Sequence, residues 1–101
     1  MLEDVAYLFS LLGDPTRLRL VRELHDGAEL TVGDIALRTG TTVANASQHL
    51  VRLAAAGLVL RRREGKHVLY RIEDPRIEQL CDLMCDRAAE GVVARRPSWA
   101  S

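Results

Sequence analysis

Gly13, Gly27, Gly40 and Gly57 each close a run of apolar residues at helical spacing, and cap-forming residues reopen the chain beyond them. A chain punctuated in this way is confined to short helices. Val5, Leu8, Phe9 and Leu12 recur at three- and four-residue intervals, which predicts an amphipathic helix over residues 2–12. Asp14 then offers a carboxylate to unpaired amides, and Pro15 has its φ already set for a first helical turn. The second helix opened there is expected to bury Leu18, Val21 and Leu24 and to keep Arg17, Arg19 and Arg22 on its wet side. It should end near Gly27, with His25 close to the terminal carbonyls. Thr31, with Asp34 three residues on, opens a short third helix that buries Val32, Ile35 and Ala36. Thr42 caps a fourth, running to about Ala56 with Ala46, Leu50, Leu53 and Ala54 inward.

The period then changes from helix to strand. Residues 58–63 and 66–72 predict two strands around Glu64 and Gly65, with Val68, Tyr70 and Ile72 on one face. Asp74 and Pro75 repeat the arrangement of Asp14 and Pro15 and open a last helix through about Glu90, its apolar side formed by Ile77, Leu80, Cys81, Met84 and Ala88. The tail carries Pro97 and small residues, and its Trp99 has no evident partner, so residues 93–101 are expected to be disordered behind one domain over residues 1–92. A chain of 101 residues can bury one core and not two. The expected fold is mainly α with a two-stranded β-hairpin, in the order α-α-α-α-β-β-α: a winged helix-turn-helix.

A formal net charge of zero seems to argue against nucleic acid, but a phosphate backbone feels distribution rather than sum. Residues 1–40 hold seven acids and four bases, residues 41–72 one acid and six bases, and residues 73–101 six acids and four bases. The positive charge is therefore gathered on the fourth helix and the hairpin. Thr42, Val43, Asn45, Ser47, Gln48, His49 and Arg52 form the outer face of that helix, a set of small or hydrogen-bonding groups with one full charge. Asn and Gln can present a donor and an acceptor together to adenine, and a small apolar group can meet a thymine methyl, so this face suits double-stranded DNA in its major groove. Arg62, Arg63 and Lys66 on the hairpin are expected to hold phosphates. A basic hairpin taken alone has a second reading, an edge strand kept soluble by charge.

Other function classes lack their residues. No segment has the roughly 20 apolar residues of a membrane span, and the chain starts with Glu3 and Asp4 rather than a basic export signal, so a cytoplasmic protein is expected. An enzyme is not expected: Cys81 and Cys85 are not a Cys-x-x-Cys pair, and there is no glycine-rich phosphate loop and no triad of nucleophile, base and acid. The rival to a DNA-binding regulator is a winged helix used as a protein-interaction module, or a DNA-binding subunit whose sensing is done by a separate partner protein.

Several strings resemble the ArsR/SmtB family of bacterial repressors. They are Leu12-Gly13-Asp14-Pro15-Thr16-Arg17-Leu18-Arg19-Leu20, Glu29-Leu30-Thr31-Val32-Gly33-Asp34-Ile35, Ser47-Gln48-His49-Leu50 and Arg62-Arg63-Glu64-Gly65-Lys66. The resemblance implies a homodimer joined through the first and last helices, at Val5, Leu8, Phe9, Ile77, Leu80, Cys81 and Met84, and a pseudo-palindromic operator. It also implies release of DNA by a metal, a metalloid or thiol oxidation. The family's thiolate site on the third helix needs cysteines where this chain has Thr31 and Gly33. Its last-helix zinc site falls on Asp74, Arg76, Arg87 and Glu90, and arginine has no lone pair for a metal. If the helices pair as in the family, Asp74 would face the partner's Arg87 and Arg76 the partner's Glu90.

Two readings stand for Cys81 and Cys85. Four residues apart on a helix they share a side, and their copies across a two-fold axis would bring up to four thiols to a soft metal ion, a metalloid or an oxidant. As buried small hydrophobes they would only pack. No cofactor is required by either reading. His25, His49 and His67 are too scattered in sequence to make a chelating motif.

Overall fold

The computed structural model describes residues 1–91. Five helices and a small sheet follow one another as α1 (Leu2–Leu12), α2 (Pro15–Glu23), a 3-10 turn (His25–Gly27), β1 (Leu30–Thr31), α3 (Val32–Thr39), α4 (Val43–Ala55), β2 (Val59–Glu64), β3 (His67–Ile72) and α5 (Pro75–Ala89). This is the winged helix-turn-helix expected, with one strand added. The proposed tail, Trp99 and the domain boundary at residue 92 lie outside the described residues.

The helix starts are made by the residues that predicted them. Asp14 accepts from the amides of Thr16 and Arg17 at 2.8 and 3.2 Å, Thr31 from Asp34 at 3.1 Å, Thr42 from Asn45 at 3.0 Å, and Asp74 from Arg76 at 2.9 Å. Each such cap is worth about 1 kcal/mol. The two amides on Asp14 also stabilise its ionised form and hold its carboxyl below the usual range. At the far end of α4, Gly57 adopts φ 76°, a left-handed conformation that would strain any other residue. It lets the amides of Gly57 and Leu58 return to the carbonyls of Ala54 and Leu53 at 3.0 and 2.9 Å, and so aims β2 away from the helix.

β2 and β3 pair antiparallel from Val59 opposite Ile72 to Glu64 opposite His67, so the turn falls on Gly65 and Lys66, one residue later than expected. β1 joins the other edge of β3, Leu30 opposite Tyr70 and Thr31 opposite Leu69, giving a sheet in the order β1-β3-β2. Two residues carry no detectable period, and β1 was therefore invisible in the sequence.

The core gathers Leu11, Leu12, Leu20, Val21, Leu24, Ile35, Ala36, Ala46, Leu50, Leu53, Leu58, Val59, Tyr70 and Ile72, and no charged side chain is buried among the described residues. One expectation fails here. Leu18 is 42% exposed, and Leu20 takes the inward place beside Val21 and Leu24. The apolar arc of α2 is wider than the core can cover, and the residues packed with α3 and α4 take the buried places. α5 has no fully buried residue; Ile77, Leu80 and Cys81 are half-buried and Met84 is 57% exposed.

Candidate nucleic-acid interface

α4 divides its residues by chemistry. Ala46, Leu50 and Leu53 are fully buried against the rest of the domain, whereas Val43, Gln48 and Arg52 stand in solvent and Asn45, Ser47 and His49 are half-buried beside them. Asn45, Ser47, Gln48, His49 and Arg52 line one shallow depression together with Val51. Thr42 fixes the start of this face through its cap, and Asn45 donates from Nδ2 to Thr41 Oγ1 at 2.7 Å. Asn45 therefore sits in a set rotamer, with one of its donors already used.

His49 is held as well. Arg17 donates from Nε to His49 Nδ1 at 3.1 Å and from Nη1 to the carbonyl of Leu11 at 3.4 Å. A ring nitrogen that accepts carries no proton, so in this arrangement the imidazole proton sits on Nε2. Arg17, expected on the wet side of α2, instead ties the end of α1 to the outer helix α4.

The hairpin places its basic residues on two faces. Arg62 does not project freely: its Nε and Nη2 meet the two carboxylate oxygens of Glu29 at 2.7 Å each, and Nη2 also meets Glu64 at 2.8 Å. That fork holds the Glu29 carboxyl below the usual carboxylate range. Arg63 donates to the carbonyl of Gly65 at 3.3 Å, and Lys66 is exposed at the turn. None of Arg52, Arg61, Arg63, Lys66 and Arg71 forms an ion pair with a described residue. The expected phosphate ligand Arg62 is thus the hairpin arginine already occupied by acids.

On α1 and α5, the residues expected to meet a second subunit form an exposed and half-buried apolar surface. Val5 and Phe9 of α1 are exposed, with Leu8, Ile77, Leu80 and Cys81 half-buried alongside. Phe9, Leu12, Leu18, Leu80, Met84 and Cys81 line one groove between α1, α2 and α5, which is where the displaced Leu18 goes. Cys85 lies at the same groove and is exposed; burial pushes the Cys81 thiol above its ordinary pKa. A raised pKa leaves Cys81 mostly as thiol, the less nucleophilic form.

Two further arrangements stand near these surfaces. Within the subunit Asp74 and Arg76 pair with each other, Nε to Oδ2 at 2.9 Å, with the Arg76 side chain 85% exposed. His25 is not at helix carbonyls: its Nε2 meets Asp82 of α5 at 2.8 Å and its Nδ1 meets Asp26 at 3.0 Å. Both carboxylates, Asp82 first, raise the pKa of His25 above its ordinary value. Asp26 holds the left-handed φ of 59°, and its amide donates to Glu78 at 3.1 Å. His25, Asp26 and Glu78 each offer a donor atom within 4.8 Å of the others, a grouping across some fifty residues that spacing alone had no means to reveal.

No described helix is long and apolar enough to cross a membrane. A helix-turn-helix domain family matches residues 12–62. The chain is 37% identical over 76 residues to the HTH-type transcriptional regulator KmtR of Mycobacterium tuberculosis, covering 75% of this chain and 58% of that protein. It is 38% identical over 79 residues to a cadmium resistance transcriptional regulatory protein CadC homolog of Staphylococcus aureus, covering 78% of this chain and 65% of that one. The chain thus spans less than two thirds of the length of these two relatives, both of which are transcriptional regulators and not enzymes. Among solved structures, it is similar to the homodimeric winged helix-turn-helix DNA-binding domain of a possible ArsR-family regulator from Mycobacterium bovis, with a TM-score of 0.79, 33% identity, and coverage of 95% of this chain and 88% of that one. With the fold, the matched domain and these relatives in agreement, the chain belongs to the ArsR family of helix-turn-helix transcriptional regulators.

Proposed function

We propose that this chain is a cytoplasmic, homodimeric repressor that lays α4 in the major groove of a pseudo-palindromic operator. One observation carries the reading. The outer face of α4 is small, polar and positioned by its neighbours, while the inner face of the same helix is fully buried, so the domain holds the helix rigidly and leaves its hydrogen-bonding side free. Val43, Ser47, Gln48 and Arg52 are the base-reading candidates, with Thr42, Asn45 and His49 fixing their frame and Arg63 and Lys66 on phosphates. The second subunit covers Val5, Leu8, Phe9, Ile77, Leu80, Cys81 and Met84; the exposed apolar surface they form supports the placement, and a homodimeric similar structure supports the presence of a second copy. Selection of duplex sites from a random pool should return an inverted repeat with half-sites about one turn, or a multiple, apart. Failure to enrich any duplex would favour the protein-interaction reading.

The effector belongs to the same proposal. A relative named for cadmium resistance makes a soft metal ion or a metalloid the first class to try, with Cys81 and Cys85 as the soft donors present and a thiol oxidant as the alternative. Operator release by cadmium, arsenite or mild peroxide, lost in C81S/C85S, would assign sensing to these thiols. Release that persists in that variant would move the site elsewhere, and no release at all would favour a separate sensing partner.

A further inference from the structure

We infer that Arg62 is a positioning residue and not a phosphate ligand: with Glu29 and Glu64 it forms a brace across the sheet that sets the wing relative to α3 and α4. The inference rests on the DNA-binding reading only where it predicts affinity. Its structural part concerns the free protein.

The register supplies the geometry. Arg62 lies opposite Leu69 of β3, and Leu69 lies opposite Thr31 of β1, so the three residues stand abreast across the sheet. Glu29 sits just before β1, two strand spacings from β2, or about 10 Å in backbone terms. Only a long side chain crossing over the middle strand can join them, and Arg62 does so with both ends of its planar fork at 2.7 Å. Glu64, two residues along β2 on the same face, takes the remaining direction at 2.8 Å. β1 runs directly into α3, so the brace links the wing to the first helix of the helix-turn-helix as well as to its own strand. β1 itself contributes only two residues of pairing, too little to fix the hairpin's angle alone. Arg71 shares this face and adds to the positive field on Glu29.

The consequence has an unusual sign. Glu29 and Glu64 are negative charges beside a surface meant for a polyanion, and simple electrostatics says that removing either should tighten DNA binding. A brace says the opposite for Glu29, because without it the wing loses its orientation and its arginine is released into disorder.

The test uses the whole chain with E29Q, R62Q and the E29Q/R62Q double variant, all surface changes. In the free protein, backbone 15N heteronuclear NOE values for residues 60–69 should fall in all three variants, by the same amount in the double as in either single. On a selected operator, E29Q should weaken binding about threefold, the size expected of one exposed ion pair, and R62Q should leave the slope of log K against log salt unchanged. If instead E29Q tightens binding and R62Q lowers the slope by about 0.9 per contact, Arg62 is a phosphate ligand and the brace is wrong. If the wing NOE values do not change, the brace is wrong whatever DNA does. If they fall as expected while wild type binds no duplex, the brace stands and the DNA-binding reading fails.

Discussion

Two helix faces of this domain are left open, and they could hardly differ more. The outer face of α4 offers Gln48, Arg52 and the half-buried Asn45, Ser47 and His49, whereas the outer face of α1 and α5 offers Val5, Phe9 and Met84. Both are exposed, so exposure alone says nothing about what either meets. The chemistry does: a hydrated, charged duplex edge rewards hydrogen-bonding groups, and an apolar strip of this length is stable in water only against another apolar surface. The lesson is that one small domain keeps two kinds of unfinished surface, one polar and one apolar, and the proposal gives the first to DNA and the second to a copy of the chain.

The contrast breaks first at the apolar side. Met84→Asp places a charge where the second subunit is proposed to sit while disturbing nothing buried in the subunit, so sedimentation should show a monomer, with dimer affinity reduced about a hundredfold or more. A variant that stays dimeric would move the interface off α5. On the polar side, Gln48→Ala should cost about 1–3 kcal/mol for each base pair it reads and relax selectivity at that position only; a uniform loss over all sequences would make Gln48 a backbone contact. Lys66→Gln sharpens the distinction between reading and holding, since it should lower the salt slope by about 0.9 per contact without altering the selected sequence.

The smallest effect concerns the tie between the turn after α2 and α5. Asp82 and Asp26 raise the pKa of His25 above its ordinary 6.5, so the protonated ring stabilises the fold in full below that ordinary value. That contribution disappears as pH rises through the raised value. His25→Gln should flatten the dependence of Tm on pH across mildly acidic to mildly alkaline buffer, and an unchanged dependence would place the titration elsewhere. The group is exposed, so the shift should be small.

What could be read from the sequence was local. Gly13, Gly40, Gly57 and the caps at Asp14, Thr31, Thr42 and Asp74 act within four residues of themselves, and they marked the helices that the structure has. Leu18 was misread because a helical stripe does not say whether its cover is the subunit's own core or something beyond it. The side-chain ties were out of reach for a different reason. Arg17 with His49, Arg62 with Glu29 and His25 with Asp82 are separated by 32, 33 and 57 residues, and no periodicity joins residues that only the topology brings together. The candidate base-reading residues needed no such knowledge, since one helix supplies them all.

The two-residue strand β1 has a bearing on how such a domain can change over time. The chain passes into the helix-turn-helix and wing beside β1 and leaves them along β3, and the two strands are hydrogen-bonded neighbours, Leu30 beside Tyr70. The segment that touches DNA in this proposal therefore enters and leaves the rest of the domain at adjacent points, while α3 and α4 also share a core with Leu20, Val21 and Leu24 of α2 and Arg17 holds His49. Ends that lie side by side let the hairpin tip vary in length without pulling apart the strands that anchor it. A new operator preference is therefore open to the outward residues of α4 and to the hairpin tip, while Ala46, Leu50 and Leu53 stay fixed by the core they share with α2.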